Sequence, residues 1–449
     1  MNKEAILCAV DKQRDLIFAA EKYIWEHPET GYREWGTQKY LAQRYEALGY
    51  RLTYAGNIPG FYTEIDTGKP GPRILILGEL DSLICTTHPN ADPETGAVHA
   101  CGHHAQSAAL LGIAAALKEP GVLDGLCGKI RLCAVPAEEL IELGYREGLR
   151  KQGIIHYYGG KVEFMYRGFF DDVDAAFMFH TGGGSVPGYG IGKGQNGCLV
   201  KNITYEGVAS HAGGSPQNGV NALYAANLGM TAANALRETF PDNDHIRFHP
   251  IITYGGTAVN AIPNRVMVES YVRGASLKAI IRENRKINRA LAASAAALGA
   301  NVVLADRSGY APTENNYDLA ALSVEVMKEI LPAENVTHND GWGTGCTDMG
   351  DVASCIPAIH PHISGAIGAS HGEDYFINDH ETACVTSAKG QILLAAALLE
   401  NDAAKAKKIK AEAKLEFASM KDYFRVMDEI FLDKRAVTYG EDGKITLDF

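Results

Sequence analysis

The residues best suited to chemistry stand in three short segments. In His99-Ala100-Cys101-Gly102-His103-His104-Ala105-Gln106, a thiol and an imidazole flank a single glycine. Cys101 and His103 are both good ligands for a borderline metal, and a turn loosened by glycine lets thiolate and imidazole converge on one ion. The competing reading is a buried cysteine beside solvent-facing histidines. In Pro136-Ala137-Glu138-Glu139, two adjacent carboxylates follow an apolar run. Adjacent Glu residues can divide the labour: one coordinates metal, while the other, turned away by the backbone, takes a proton from metal-bound water. Acids gathered at a helix N-terminus by its dipole are the alternative. Phe179-His180-Thr181-Gly182 ends a third apolar run. A lone histidine there is more often a core residue, but three run-ends carrying ligand-type groups are much less expected by chance.

Such segments need a scaffold that gathers them at one edge. Residues 73–78, 129–135 and 175–179 read as apolar strands, and residues 105–118 as a helix crowded with Ala and Leu. Strands alternating with helices predict an α/β fold with a mainly parallel sheet, where ligands bind beyond the carboxyl ends of the strands. The Glu pair and His180 follow such ends directly. Residues 5–50 carry apolar side chains at helical spacing and read as two helices broken at His27-Pro28. Between residues 193 and 311 the rhythm changes to strand 200–205, helix 221–240, strands 246–254 and 265–272, helix 277–298 and strand 301–305. That is a complete β-α-β-β-α-β unit of ferredoxin-like type. We read it as an inserted α+β domain, 193–311, with a catalytic domain split into 1–192 and 312–449. After Asn401, a Lys- and Ala-rich helix over 403–417 leads to a charged tail with a hairpin around Glu441-Asp442-Gly443.

Composition narrows the partners. The 449 residues are 46% hydrophobic and 21% charged, which is globular and excludes a disordered or fibrous chain. A net charge of −12 and a pI near 5.7 argue against nucleic acid, whose binders need a basic face. Nine cysteines without paired short spacing argue against a disulfide framework and for the reducing cytoplasm. Residues 1–10 show no signal-peptide pattern, and no apolar run reaches the roughly 18 residues of a membrane span, so no membrane association is expected.

Glu79-Leu80-Asp81, the Cys101 and His103 segment, the Glu138-Glu139 pair and Met178-Phe179-His180 together resemble the successive site motifs of the di-metal aminoacylase and carboxypeptidase superfamily. Within it they are similar to the branch of indole-acetyl amino acid hydrolases and aminobenzoyl-glutamate hydrolases. Ser210-His211, Val259-Asn260, Thr347-Asp348, Ile359-His360-Pro361 and Ser370-His371-Gly372 continue the resemblance in order to about residue 400. It implies a zinc-peptidase-like catalytic domain with a lid and dimerisation insert, metal ligation by Cys101, His103, Glu139, His180 and His371, and Glu138 as general base. Asp81 would orient a ligand histidine. Five ligands exceed one tetrahedral ion once a water is added, which suggests two divalent ions, zinc or manganese with cobalt also admitted.

The resemblance further implies a homodimer through the insert. His211 and Asn260 would reach the scissile group, and Arg273 is the candidate clamp for a substrate carboxylate, with a solvated strand arginine as the alternative. The implied reaction is hydrolysis of the amide of an N-acyl or N-aroyl amino acid. A dipeptidase for small or unusual dipeptides is the second reading, and a non-catalytic binding protein on the same fold is the third. The chain departs from the family pattern at His104 and Gln106. It also has Leu140 after the Glu pair and an apparent insertion over 141–158. The aromatic residues in and beside that insertion, Tyr157, Tyr158, Phe164, Tyr166, Phe169 and Phe170, read as packing or as the wall of a substrate pocket.

Overall fold

The computed structural model describes residues 2–449, which divide into two compact units. The first comprises residues 2–194, 313–342 and 347–420; the second comprises 195–312, 343–346 and 421–449.

The first unit is built on a six-stranded sheet ordered Thr53–Tyr54, Phe61–Asp66, Lys129–Val135, Arg73–Glu79, Ala175–Phe177, Ala358–Ile359. Arg73–Glu79 runs parallel to both of its neighbours, and Ala358–Ile359 is parallel to Ala175–Phe177. The edge pair Thr53–Tyr54 and Phe61–Asp66 is antiparallel. Six of the seven residues in Arg73–Glu79 and in Lys129–Val135 are buried. Their unbroken apolar runs are what a strand covered on both faces requires. Helix His103–Ala116 packs against this sheet and against helix Arg14–Glu26, and all fourteen of its residues are buried. That burial explains its alanines: small side chains let a helix approach sheet and neighbour together.

A second, five-stranded sheet of this unit carries His180–Gly183 beside His362–Ile367, which places His180 directly across from His362. The N-terminal region forms three helices, Lys3–Asp11, Arg14–Glu26 and Trp35–Ala47, rather than the two expected. The break at His27 is present, but the chain also turns at Lys12 and Gln13, where polar residues interrupt the apolar stripe. The helical segment Glu381–Leu399 is, by length and mean hydropathy, apolar enough to cross a membrane. It is a core segment, 94% buried, and Lys389 and Gln391 keep it from being a strictly apolar run.

The second unit contains the β-α-β-β-α-β order: Gly197–Glu206, Ala222–Ala235, Arg247–Phe248 with Ile251–Tyr254, Arg265–Gly274, Leu277–Ala297 and Asn301–Tyr310. The second strand is split because Pro250 has no N–H for the ladder. These strands pair antiparallel, and Gly197–Glu206 lies between Arg265–Gly274 and Asn301–Tyr310. The C-terminal segment corrects the sequence reading. Residues 421–449 belong to this unit and not to the first one. Strand Leu432–Arg435 pairs with Asn301–Tyr310, whose open edge would otherwise leave backbone groups unpaired. The hairpin Val437–Tyr439 with Ile445–Leu447 forms as expected, while the tail helix is shorter than expected, at Ala404–Glu412.

A closed polar network lies under this sheet. The Lys201 ammonium donates to Asp306 Oδ1 at 2.6 Å, to Asn284 Oδ1 at 2.8 Å and to Asn288 Oδ1. Asp306 Oδ2 accepts from the amides of Asn284 and Asn288 at 2.7 and 2.9 Å. All four residues are buried, so removing one partner strands a charge. Asp306→Ala is expected to cost about 3–5 kcal/mol in chemical denaturation, whereas the double change Lys201→Met with Asp306→Leu removes the stranded charge and should recover only part of it, because the Asn284 and Asn288 amides lose their partners.

Candidate metal centre

The loops that follow the parallel strands bring the chemistry-bearing residues together. Arg73–Glu79 ends on Glu79 and leads to Asp81, Lys129–Val135 leads to Glu138 and Glu139, and Ala175–Phe177 leads to His180. His103 opens the buried helix, preceded by Gly102 at φ 93°. A β-carbon on Gly102 would sit 2.5 Å from Tyr375 Oη and 3.0 Å from Thr181 Cβ, so only glycine fits this turn. In the loops bearing the donors, Ala137 at φ 57° and His371 at φ 66° also hold left-handed backbone without being glycine. Ala137 is pinned by its N–H on Glu34 Oε1 at 2.8 Å, and His371 by its N–H on Ala100 O at 2.8 Å. Backbone strain of this kind persists only where surrounding contacts over-determine it.

Asp81 organises two of the segments at once. Its Oδ1 and main-chain oxygen lie 3.2 and 2.9 Å from His103 Nδ1, and its Oδ2 accepts the Glu139 N–H at 2.7 Å. His103 Nε2 is thereby aimed at Glu79 Oε2 at 3.2 Å, with Glu138 Oε2 at 3.9 Å. His180 Nδ1 lies 2.8 Å from Thr181 O, which turns Nε2 to Cys101 Sγ at 3.5 Å. His371 Nε2 lies 3.2 Å from Glu139 Oε1.

Three sets of ligand-type atoms result, each with all members within 4.8 Å of one another: Cys101, His103 and His180; Cys101, Glu139 and His371; and Glu79, His103 and Glu138. All five ligands named from the sequence are in the first two sets, and Cys101 is common to both. His371 is the exposed member, its side chain 54% accessible, so the cluster is open on that side.

The charges reinforce the geometry. Burial and Glu139 push the Cys101 thiol up, but His103 and His180 outweigh them and bring it to about 6. Burial also opposes charge on His103 and His180. Glu79 and Cys101 nevertheless raise His103 well above its ordinary value, and Cys101 does most to raise His180. Hydrogen bonds to Cys101 and Glu139 lift His371 to about 11. Glu139 falls to about 2, because His371 more than offsets its burial. Glu138 moves the other way: burial, then Glu79, Glu139 and Asp348, raise it well above the carboxylate range. The two adjacent glutamates thus have opposite proton affinities, the division of labour expected of them.

Two basic residues support the cluster that were not assigned roles from sequence. Lys161 is fully buried; its ammonium bonds Glu79 and Asp348 Oδ1, the latter at 2.5 Å, and its N–H donates to Asp348 Oδ2 at 2.8 Å. A β-carbon on the preceding Gly160 would collide with Pro136 O, so this segment presses directly on the Glu-pair loop. The signal for Lys161 was the presence of two carboxylates, Glu79 and Asp348, in separate motifs with no cation named for either. Arg146, from the insertion, is buried and donates to Tyr158 O at 2.6 Å, Ala137 O at 3.2 Å and Glu139 O. The insertion is therefore a brace for the loop bearing Glu138 and Glu139. Its aromatic neighbours Tyr157, Tyr158, Phe164 and Phe170 are buried in packing, while Tyr166 is exposed.

His104 takes no part in the donor sets: its Nε2 points to Glu21 Oε1 at 3.2 Å. Gln106 is buried, and nothing in the structure explains its choice. His211, Asn260 and Arg273 belong to the second unit and are in none of the three sets. Within that unit His211 bridges to Ala261, and the Ala212 N–H donates to Asn260 O at 2.9 Å, so the first two are neighbours. Arg273 lies in strand Arg265–Gly274 opposite Cys198 and Arg247.

A parallel sheet whose strand ends converge on thiolate, imidazole and carboxylate donors defines a metal-hydrolase class of site. A sequence profile described as peptidase family M20/M25/M40 matches residues 75–406, and the chain belongs to that family. It is 29% identical over 385 residues to the Xaa-Arg dipeptidase of Mus musculus, covering 82% of this chain and 80% of the relative. It is 31% identical over 235 residues to the indole-3-acetyl-aspartic acid hydrolase of Enterobacter agglomerans, covering 49% of this chain and 49% of the relative. Its fold resembles that of the YXEP protein of Bacillus subtilis, a dinuclear metal-binding peptidase, with a TM-score of 0.62 at 20% identity over 85% of this chain and 97% of that one.

Arg146→Ala leaves the carbonyls of Ala137, Glu139 and Tyr158 without this donor. Ala137 O keeps the Gly160 N–H and Glu139 O the Ile141 N–H, so the main loss is at Tyr158 O, and about 1–3 kcal/mol is expected in chemical denaturation.

Proposed function

We propose that this chain is a two-metal amidohydrolase acting on N-acyl or N-aroyl amino acids. The observation that carries the reading is the pair of ligand sets sharing Cys101. The donors suit cations: His103 Nε2 and Glu79 Oε2 are buried without a hydrogen bond, and Glu139 Oε1 is buried facing His371 Nε2 at 3.2 Å. Such atoms are costly in a fold unless something else satisfies them. Cys101, His103 and His180 would hold one ion, and Cys101, Glu139 and His371 the other. Zinc suits the shared thiolate best, with manganese or cobalt admitted by the imidazole and carboxylate ligands. When bound, two such ions supply Lewis acidity to an amide carbonyl and to a water molecule.

The protein groups then do the following. Glu138, through Oε2, takes the proton of the attacking water and returns it to the leaving amine; its raised proton affinity suits both transfers. Asp81 keeps His103 in one tautomer, with Nε2 presented to the cluster. Lys161 holds Glu79 as a carboxylate beside His103. In the second unit, His211 and Asn260 are the proposed donors to the developing oxyanion, and Arg273 the proposed partner of the substrate carboxylate.

Dipeptide hydrolysis is the second reading, favoured by similarity to the Xaa-Arg dipeptidase over most of both chains. We place the protein in the cytoplasm, in keeping with nine free cysteines. We also assign it a homodimer through the second unit. There the strand Ile251–Tyr254 is wholly exposed, with Ile251 61% accessible, and the helix Ala222–Ala235 presents Tyr224 at 66%. An apolar strand pairing on one side only is a ready dimer edge.

Metal analysis should find about two ions per chain, falling to one or fewer in Cys101→Ser. Glu138→Gln should keep both ions and lose about 10²–10⁴ in kcat on the best substrate. Assaying acylated amino acids against the matching free-amine dipeptides separates the two substrate readings. Wild-type rates in Glu138→Gln would end the proton-transfer assignment. In sedimentation, Ile251→Lys combined with Tyr224→Glu should convert the dimer to a monomer; an unchanged dimer would move the interface elsewhere.

A further inference from the structure

The first unit contains a second pocket, of about 570 Å³, that none of the donor residues lines. Phe18 and Trp25 of helix Arg14–Glu26 and Phe376 form its walls, and Glu21, His104 and His380 its floor. Its volume falls in the range of small-molecule sites, roughly 300–1,000 Å³. The Trp25 and Phe376 rings are 5.8 Å apart at 42°, Trp25 and His104 4.9 Å apart, and Phe18 meets His380 edge-on at 6.5 Å.

Two polar groups of the floor, Glu21 and His104, are buried and incompletely used, while His380 is exposed. Glu21 is 6% exposed. His104 Nε2 and His380 Nδ1 approach the same oxygen, Oε1, at 3.2 and 3.3 Å. Both histidines make their closest approach at Oε1 and not Oε2, and neither ring nitrogen of the fully buried His104 has a hydrogen bond. Lys22 and Glu26 also line the pocket and pair with each other at 3.9 Å, which leaves the Glu21 carboxylate as the charge an anionic ligand would meet. A wholly apolar ligand would cover Oε2 and leave it unsatisfied, which is costly. A cation with an apolar body answers both demands, since aromatic faces attract ammonium groups and a carboxylate pairs with them.

We propose that this pocket binds a primary ammonium carried on an aromatic or branched apolar group, with the ammonium on Glu21 Oε2 and the apolar body between Phe18, Trp25 and Phe376. Burial opposes the charge on Glu21, but His104 and His380 outweigh it and hold the carboxyl below its ordinary range. The site does not depend on the hydrolase reading. The metal-loaded, full-length protein is titrated calorimetrically with 2-phenylethylamine, ethylamine and 3-phenylpropionate. Saturable binding of 2-phenylethylamine is expected, with ethylamine and 3-phenylpropionate each at least about ten-fold weaker. Glu21→Gln and Phe18→Ala, each checked for native circular dichroism, should each weaken 2-phenylethylamine by a similar factor. If Glu21→Gln does not fold, Phe18→Ala and the ligand series decide. The proposal is overturned if 2-phenylethylamine does not bind saturably, if 3-phenylpropionate binds as well, or if its affinity is unchanged in the folded variants, which would put the amine elsewhere.

Discussion

The interaction on which the centre depends is the buried ammonium of Lys161 between Glu79 and Asp348. Glu79, Asp81, Glu138, Glu139 and Asp348 are all buried. Carboxylates packed this closely cannot all stay ionised without compensation. Lys161 supplies it from the side of the fold, and Glu79 is left beside His103 as an anion. Its anchorage is mechanical as well, because Gly160 lets the Lys161 backbone press against Pro136, the residue that begins the Glu-pair loop. One cation therefore sets both the charge state of one strand end and the position of the next. The arrangement is kept despite a desolvation cost that hydrophobic packing would avoid, which points to positioning rather than stability as its use.

Much of this was legible in the residues. The strands Arg73–Glu79 and Lys129–Val135 announce themselves by unbroken apolar runs, and the helix His103–Ala116 by its alanines. The five ligand-type residues were assigned by resemblance, and His371 only so, since a histidine in a surface loop carries no periodicity. Lys161 and Arg146 were not legible because a basic residue beside glycines, or on a short amphipathic helix, is ordinarily solvated. Their burial follows from which carbonyls and carboxylates the chain brings to them. The tail was misassigned for a similar reason: Leu432–Arg435 is charged and short, and only the open edge of Asn301–Tyr310 makes it a strand of the second unit.

Sharing Cys101 between two ligand sets constrains the local backbone more than separate ligands would. A single Sγ must face His180 on one side and the Glu139–His371 pair on the other. The turn at Gly102 and the left-handed residues Ala137 and His371 aim the three loops at that one atom. Loops alone do not hold such conformations. Here each is tied to a buried partner: His371 to Ala100, Ala137 to Glu34, and the Glu139 carbonyl to Arg146.

His103 and His104 show how one turn can serve two environments. Successive residues on a helix point about 100° apart, so a ligand aimed into the donor cluster obliges its neighbour to face elsewhere. His103 meets Glu79 and Asp81, while His104 meets Glu21 and Trp25. The same division occurs further along the chain, where His371 faces Glu139 and Phe376 faces the second pocket. Two segments that carry ligand-type residues therefore also line that pocket. Contact of this kind couples two sites only if occupancy favours one of two arrangements of the shared segments. Helix His103–Ala116 is buried along its whole length, so a shift at His104 would have to be taken up by the loop between Cys101 and His103 or by the more open segment bearing His371. The exposed segment is the cheaper of the two to move, because fewer packed contacts must be broken there.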